Sequence, residues 1–320
     1  MNENQSRQSK KCASAIYKMP EIAEIDTKQN MNDTKTKKIL IAGADSYIGK
    51  SFVSFMCRWP GSCQADMLCT KGDSWKNIPF ENYDAVLYIS KTDDTLTTFR
   101  KHLMLHKADA CQAVRIANRA KISGIEMFLY LSSLHVYSPE TGMITKTSRP
   151  EPSDAYGRLR LHTEKQLWNM NSSKFRVAIL RLPKIYGYKC SGSYTGIAKA
   201  AIRSCFFPKY NQKYSVIHID NLTSAIRSIL YYNKAGVYFP QNTSFSGTYD
   251  FALEISGFYG KKLKSIALFN PIIHLLIKRI WLIQNIFSGH TCSQSLNVPD
   301  EWLHVKNFRE SIRLSESGWS

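Results

Sequence analysis

Apolar positions fall into short runs from Lys37 onward, and the runs alternate with stretches of helical spacing. Lys38-Ile39-Leu40-Ile41-Ala42-Gly43 is apolar on both faces and ends in glycine, which predicts a central strand of a parallel sheet. Tyr47 to Met56 reads as a helix, Met67-Leu68-Cys69 as a short second strand and Asp84 to Ser90 as a third. Lys101 to Ile122 sets Leu103, Ala110, Ala113, Val114 and Ala117 on one side, and Gly124 stands where a C-cap glycine belongs. Met127 to Leu131 predicts a strand ending in Ser132-Ser133, Ala155 to Met170 a helix, and Phe175 to Leu180 another strand.

Strands alternating with helices predict an α/β chain: a Rossmann-like, doubly wound parallel sheet covered on both faces. Ligands then bind beyond the carboxyl ends of the strands. Residues 1–36 are polar and aperiodic and read as a disordered tail outside the fold. Residues 37–188 hold the sheet domain, and 189–320 mainly a smaller C-terminal substrate lobe. A strand at Val216 to Ile219 and a helix at Asn221 to Tyr231 are expected to return to the sheet domain, near 214–233.

Composition narrows the class. The 320 residues are 43% hydrophobic, enough to bury a core, and no solenoid-length repeat interrupts them. The balance of 43 Lys and Arg against 25 Asp and Glu gives +18, which suits nucleic acid, an anionic membrane or a phosphorylated substrate. No helix-turn-helix, RNA-recognition or zinc-finger pattern supports the first, so no nucleic-acid partner is expected. The eight cysteines form no C-x-x-C pair and no Cys/His group has zinc spacing, so no metal site is expected. With no apolar leader in residues 1–31, free thiols in a reducing cytoplasm are the reading. His274, Lys278, Arg279 and Gln284 interrupt the apolar stretch Phe269 to Phe287, which predicts an amphipathic helix, with weak membrane-surface contact as a secondary role.

Two places carry candidate chemistry. After the first strand comes Gly43-Ala44-Asp45-Ser46-Tyr47-Ile48-Gly49, where a tight turn needs the first glycine and close helix packing the last. Ser46 can cap the helix, and the N–H groups at its start would face a pyrophosphate. Ser132-Ser133 ends one strand, and Tyr156-Gly157-Arg158-Leu159-Arg160 opens the next helix. Positions 156 and 160 share a helix face, so a cation stands one turn from a tyrosine whose free pKa is about 10. A cation so placed favours the phenolate and suits general acid/base chemistry.

Taken with Asp84-Ala85-Val86, Leu131-Ser132-Ser133-x-x-Val136-Tyr137, Leu180-Arg181-x-x-x-Ile185-Tyr186-Gly187 and Ile217-His218-Ile219-Asp220-Asn221-Leu222, the chain resembles the extended short-chain dehydrogenase/reductase family. It is most similar to the NAD-dependent epimerase/dehydratase branch, which includes UDP-glucose 4-epimerase. The resemblance spans roughly residues 37 to 314. It implies a Rossmann domain holding NAD, with NADP left open, and a nucleotide-sugar, a UDP-sugar, in the smaller lobe. Tyr156 would be the acid/base, Ser133 would hydrogen-bond the sugar hydroxyl, and Arg160 would occupy the position that binds the nicotinamide ribose. Gly43, Ser46, Tyr47, Ile48, Gly49 and Ser90 would line the cofactor, and Lys184 and Tyr214 the substrate. A cytoplasmic homodimer, paired through the helices at 101–122 and 155–170 and serving surface-polysaccharide synthesis, is the expectation.

Departures from the family pattern give the alternative, a catalytically lapsed member acting through binding. Arg160 replaces lysine, Cys69 stands where an acidic ribose ligand is expected, and Tyr214 stands where a basic residue is common. Asp66 or Asp73 could substitute for the acid, and Lys71 could tolerate a 2′-phosphate. His135 and His218 sit in apolar company and read as interior histidines, and Cys69 as a small buried thiol.

Overall fold

A computed structural model describes residues 22–23, 36–58, 63–70, 74–90, 99–268, 270–277, 279, 283 and 286–317. The sheet strands are β1 (Lys37–Ala42), β2 (Cys63–Leu68), β3 (Ala85–Tyr88), β4 (Met127–Ser133), β5 (Arg176–Leu182) and a late strand, Gly236–Tyr238. All pair in parallel, in the order Gly236–Tyr238, β5, β4, β3, β1, β2. The chain runs outward from β1 to β2, then crosses back to β3 on the other side of β1. The crevice at the ends of β1 and β3 is therefore a topological switch point, where ligands bind in such sheets.

Apolar runs without alternation form these strands because both faces are covered. Helices α1 (Tyr47–Arg58) and, later in the chain, Ile219–Tyr232 cover one face, burying Phe52, Phe55, Leu222 and Ile226 against Ile39, Ile41 and Leu129. Helices α2 (Phe99–Ile122) and α3 (Ala155–Trp168) cover the other, where Ala113, Ile116, Ala117 and Leu167 meet Leu40, Val86 and Phe128. Small alanines on α2 let it lie close to the sheet and to α3.

The smaller lobe is built from β6 (Lys184–Tyr186), α4 (Ser193–Arg203), β7 (Phe206–Pro208), β8 (Val216–His218), α6 (Thr248–Phe258), β10 (Lys264–Ile266), α7 (Asn270–Ile277) and α8 (Phe308–Ser317). Helix Ile219–Tyr232 is thus α5 and strand Gly236–Tyr238 is β9. An aromatic cluster of Tyr186, Tyr194, Phe251 and Phe308 holds the lobe together.

Two expectations change here. The strand ending at His218 does not return to the main sheet; β8 pairs in parallel with β6, and the strand that returns is β9, beside β5. The apolar run Val216-Ile217 is short enough to serve either place, and the β6 partner takes it first along the chain. Of residues 1–36, Ile22, Ala23 and Thr36 are described. Ile22 bridges Val237 in parallel, and the Ala23 N–H donates to the Val237 carbonyl at 3.1 Å, so the segment expected outside the fold adds an edge contact. A side chain at Gly236 would collide there, since its Cβ would lie 2.7 Å from the Ala23 Cβ. Within Phe269 to Phe287, α7 covers Asn270–Ile277 with Ile273 inward; Lys278 and Gln284 lie outside the described residues. Among the described residues no helix is long and apolar enough to cross a membrane.

Candidate active site

The glycine loop sits at the switch point. Gly43 adopts φ +91, and a Cβ there would meet the Ile89 carbonyl oxygen at 2.3 Å, so only glycine lets the turn press against the end of β3. Ser46 makes the cap expected of it: its hydroxyl donates to the Gly43 carbonyl at 2.6 Å and accepts from the Gly49 N–H at 3.1 Å. A Cβ on Gly49 would lie 2.5 Å from the Ala44 Cα, which keeps α1 tight against the loop. Ile48 packs against the core, and the Tyr47 hydroxyl reaches the Gly187 turn. Asp45 is exposed, so its carboxylate is turned from the loop's interior. Cys69 is exposed just past β2, a correction to the buried thiol expected: the strand ends at Leu68, and Leu68 takes the interior place. Asp66 lies within the strand and accepts from Tyr83 at 3.0 Å. Lys71, Asp73 and the loop from Lys91 to Asp94 lie outside the described residues.

The first turn of α3, which carries Tyr156, meets the turn that follows Ser133 through backbone contact. Asp154 caps α3 by accepting from the Gly157 N–H at 2.6 Å. A Cβ on Gly157 would stand 2.0 Å from the His135 carbonyl oxygen, so the first turn of α3 rests directly on the turn after Ser133. Ser133 ends β4 and caps that turn, accepting from the His135 N–H at 3.3 Å. The turn points Leu134 and Val136 into the core and His135 outward, which corrects the interior reading of His135; its side chain is 54% exposed. His218 is interior, 1% exposed, and burial pushes its pKa down to about 3.

Arg160 lies one turn along α3, as the spacing requires, and its guanidinium stacks over the Tyr156 ring at 4.9 Å. Its donors point inward. Nη1 bonds the Ser90 hydroxyl and the Tyr130 hydroxyl, the latter at 2.9 Å, and lies 3.8 Å from Asp109 Oδ2. Ser90 donates to Asp109 at 2.6 Å, and Tyr88 donates to it at 2.9 Å. Arg160, Ser90, Asp109, Tyr88 and Tyr130 are all buried. Burial opposes the Arg160 charge, but Tyr130, Tyr156 and Asp109 outweigh it and raise its pKa. Arg160 and Ser90, both expected to face a cofactor, are bonded to each other.

On the lobe side, Lys184 opens β6 and lies over the Tyr214 ring at 4.4 Å. Burial pushes its pKa down to about 7. Tyr214 is 1% exposed, and its hydroxyl meets Thr248 at 3.1 Å, so it is a platform beneath Lys184 rather than a surface for ligand.

Several neighbours were not singled out in the sequence. His106 packs edge-on to Tyr156 at 4.9 Å, His135 packs edge-on to the same ring at 5.6 Å, and His290 meets His135 at 5.2 Å. Burial, then the His135 and Lys184 charges, push the His290 pKa down to about 4, with Asp154 opposing. His135 Nδ1 lies 3.3 Å from Asp154. Burial works against the Asp154 charge, yet His135 and the Gly157 N–H outweigh it and hold its carboxyl below its usual range. Beneath them Glu164, 0% exposed, accepts from Arg181 at 2.7 Å and from Ser132, while Arg181 donates to Tyr137 at 2.7 Å. The one signal in the sequence is position: Arg181 falls inside a motif segment and Glu164 one turn beyond another, whereas His106 and Asp109, both on α2, and His290, far along the chain, are brought to the site only by the fold.

The model of the NAD dependent epimerase/dehydratase family matches residues 62–238. An uncharacterised protein of Sinorhizobium fredii is 32% identical over 117 residues, 34% of this chain. The chain matches 29% of the length of that curated relative. Among solved structures, a human epimerase family protein determined with NADPH superposes with a TM-score of 0.67 at 12% identity, covering 88% of this chain and all of its own. A dTDP-4-dehydrorhamnose reductase from Clostridium acetobutylicum gives 0.63 at 15%, over 87% and 98% of the two chains. A UDP-N-acetylglucosamine 4-epimerase from Bacillus cereus gives 0.61 at 14%, over 86% and 96%. At these identities the likeness is one of fold.

Proposed function

This chain belongs to the NAD-dependent epimerase/dehydratase family, and from that premise we propose that it is a nucleotide-sugar oxidoreductase of the epimerase kind, with Tyr156 as its acid/base. The carrying observation is the first turn of α3 resting on the turn after Ser133, with Gly157 against the His135 carbonyl and the Tyr156 ring edge-on to His135 at 5.6 Å. A dinucleotide, NAD or NADP, would supply the hydride acceptor and donor when bound. The residues fit its pyrophosphate end: the Gly43 turn lies at the end of β1 by the switch point, and the N–H groups of Tyr47 and Ile48 begin a helix whose Gly49 N–H is already capped. In this reading Tyr156 takes a proton from a sugar hydroxyl that Ser133 holds in place. Arg160 acts as a positioning cation under the ring, since its Nη1 is committed to Ser90 and Tyr130. Lys184 grips the anionic part of a UDP-sugar. A cytoplasmic homodimer joined along α2 and α3, where Met104 and Leu105 are exposed, completes the reading; a monomeric mass in light scattering would remove that part.

The test is a pair of measurements. Denaturing the purified protein should release a dinucleotide identifiable by absorbance and mass. Tyr156→Phe should keep it bound and abolish turnover of UDP-sugars; full activity in that variant overturns the acid/base assignment. A second reading, a lapsed enzyme acting by binding, is favoured by the Arg160–Asp109–Ser90 network and by Cys69 at the ribose position. A protein that releases no dinucleotide and binds neither NAD nor NADP would select it.

A further inference from the structure

The far end of the smaller lobe carries a patch the proposed chemistry does not use. In the turn before α7 Leu268 is 81% exposed, and Ile272 and Leu275, three residues apart on one helix face, are 53% and 57% exposed. Ile273 points inward, so α7 is anchored by one face and offers the other. The anchoring is firm: Asn270 donates to the Lys209 carbonyl at 2.9 Å, and β10 leads into α7 while paired with β7. Scattered exposed aliphatics need no explanation, but three on one short helix and its lead-in turn form a contiguous feature.

The charge around it has one sign. No Asp or Glu occurs from Lys165 to Ile219, nor from Ile255 to Pro299. These two stretches supply β7, β10 and α7, the elements that carry the patch. Lys209, Lys262, Lys264 and Arg279 are exposed beside it. A second copy of this chain would bring these cations against their own equivalents, with no carboxylate in either stretch to relieve them. A polyanion alone would leave the aliphatic side chains without a partner. An anionic lipid surface satisfies both: headgroup phosphates meet the lysines, and Leu268, Ile272 and Leu275 enter the acyl boundary.

The geometry points to α7 and its lead-in turn as a peripheral docking site for an anionic lipid bilayer, with the lobe's basic rim supplying attraction and the three aliphatic residues supplying insertion. A helix of eight residues with a single exposed face binds reversibly and lies in the interface. The interaction weakens with salt, because the exposed lysines are screened over about 8 Å at physiological ionic strength.

The experiment is co-sedimentation of the full chain with phosphatidylglycerol/phosphatidylcholine vesicles of about equal composition, at about 0.15 M salt, beside vesicles of phosphatidylcholine alone. The expected result is binding to the mixed vesicles and little to the neutral ones. Leu268→Ser with Ile272→Ser and Leu275→Ser should weaken partitioning by about tenfold or more, and Lys262→Glu with Lys264→Glu should do likewise. These side chains are exposed, so circular dichroism and melting temperature should match the parent. Absence of binding by the parent protein overturns the proposal. So does equal binding by the aliphatic variant, which would mean adsorption of a basic protein to any polyanion. A parent dimer that the aliphatic variant converts to monomer would also overturn it, by showing that a second copy covers the patch.

Discussion

Position 157 has no functional atom, yet the site depends on it. Adding a methyl group there would force α3 off the turn after Ser133, since the His135 carbonyl oxygen is rigid backbone. Gly157→Ala should cost about 1–3 kcal/mol in stability and lower kcat far more than the bound fraction of dinucleotide. An unchanged kcat would mean the Tyr156 seat tolerates movement. Arg160 makes a second residue-level prediction. Removing its charge takes a cation from 3.8 Å beside the buried Asp109 carboxylate, so Arg160→Met should destabilise by about 3–5 kcal/mol, and adding Asp109→Leu should restore much of that. A double variant no better than the single would show that the pair is not coupled. Lys184 makes a third. Its folded pKa is lowered from 10.5 to about 7, so it gives up its charge as pH rises through that value. The KM for a UDP-sugar should climb several-fold above about pH 7 and flatten in Lys184→Met. The stability sign is opposite. Between about 7 and 10.5 the unfolded chain binds more protons at this site than the folded one, so this group's contribution to stability rises with pH across that window. Titration of KM and urea unfolding on the same samples reads both. The sequence made Tyr156 and Arg160 legible because helix spacing places them on one face. It did not show which way the Arg160 donors point, because Asp109 and Tyr130, on α2 and β4, decide that.

Elements were read with unequal success, and the physical reason is burial. Strands β1, β3, β4 and β5 are sealed on both faces, so their apolar runs have no competing interpretation. The second strand was placed too late: Cys63-Gln64-Ala65-Asp66 pairs fully with β1, yet its side chains alternate toward solvent at the sheet edge and carry little apolar signal. The pattern puts the return strand at Val216 to Ile219 because both that run and Gly236-Val237-Tyr238 are short apolar runs flanking one helix. Only the pairing partner separates them. Glycines were informative where backbone meets backbone. Gly236 is one, and it predicts that Gly236→Val would drive Ile22 and Ala23 from the sheet edge. Amide exchange at Ala23, whose N–H donates to Val237, should accelerate in that variant while the β5 amides stay protected. Matching exchange in both proteins would show that the edge contact is not held by this close approach.

The two lobes are joined by polar groups that are individually small and collectively hard to replace. Asn221, 0% exposed at the start of α5, donates to the Val305 carbonyl at 2.8 Å and to Asn242 at 2.9 Å, and accepts from the Val305 N–H at 2.7 Å. It thus clamps the segment before α8 to the helix that packs on the main sheet. Asn242 passes the connection on, donating to Tyr186 at 2.8 Å, and Tyr186 meets Ser311 on α8 at 2.6 Å. Each member is buried, so a lost partner leaves a polar group in a low-dielectric interior at a cost of about 1–3 kcal/mol. Asn221→Ala orphans both backbone groups of Val305 together, and its penalty should exceed that of a lone hydrogen bond. The expected outcome is a parent that unfolds in one transition and a variant in which α8 and the Tyr186 cluster exchange amide protons ahead of the sheet. Because Lys184 and Tyr186 share β6, the same variant should bind nucleotide-sugar more weakly while releasing a normal amount of dinucleotide on denaturation. Dinucleotide and sugar binding falling together would mean that the lobes act as one body, with the Asn221 clamp no boundary between them.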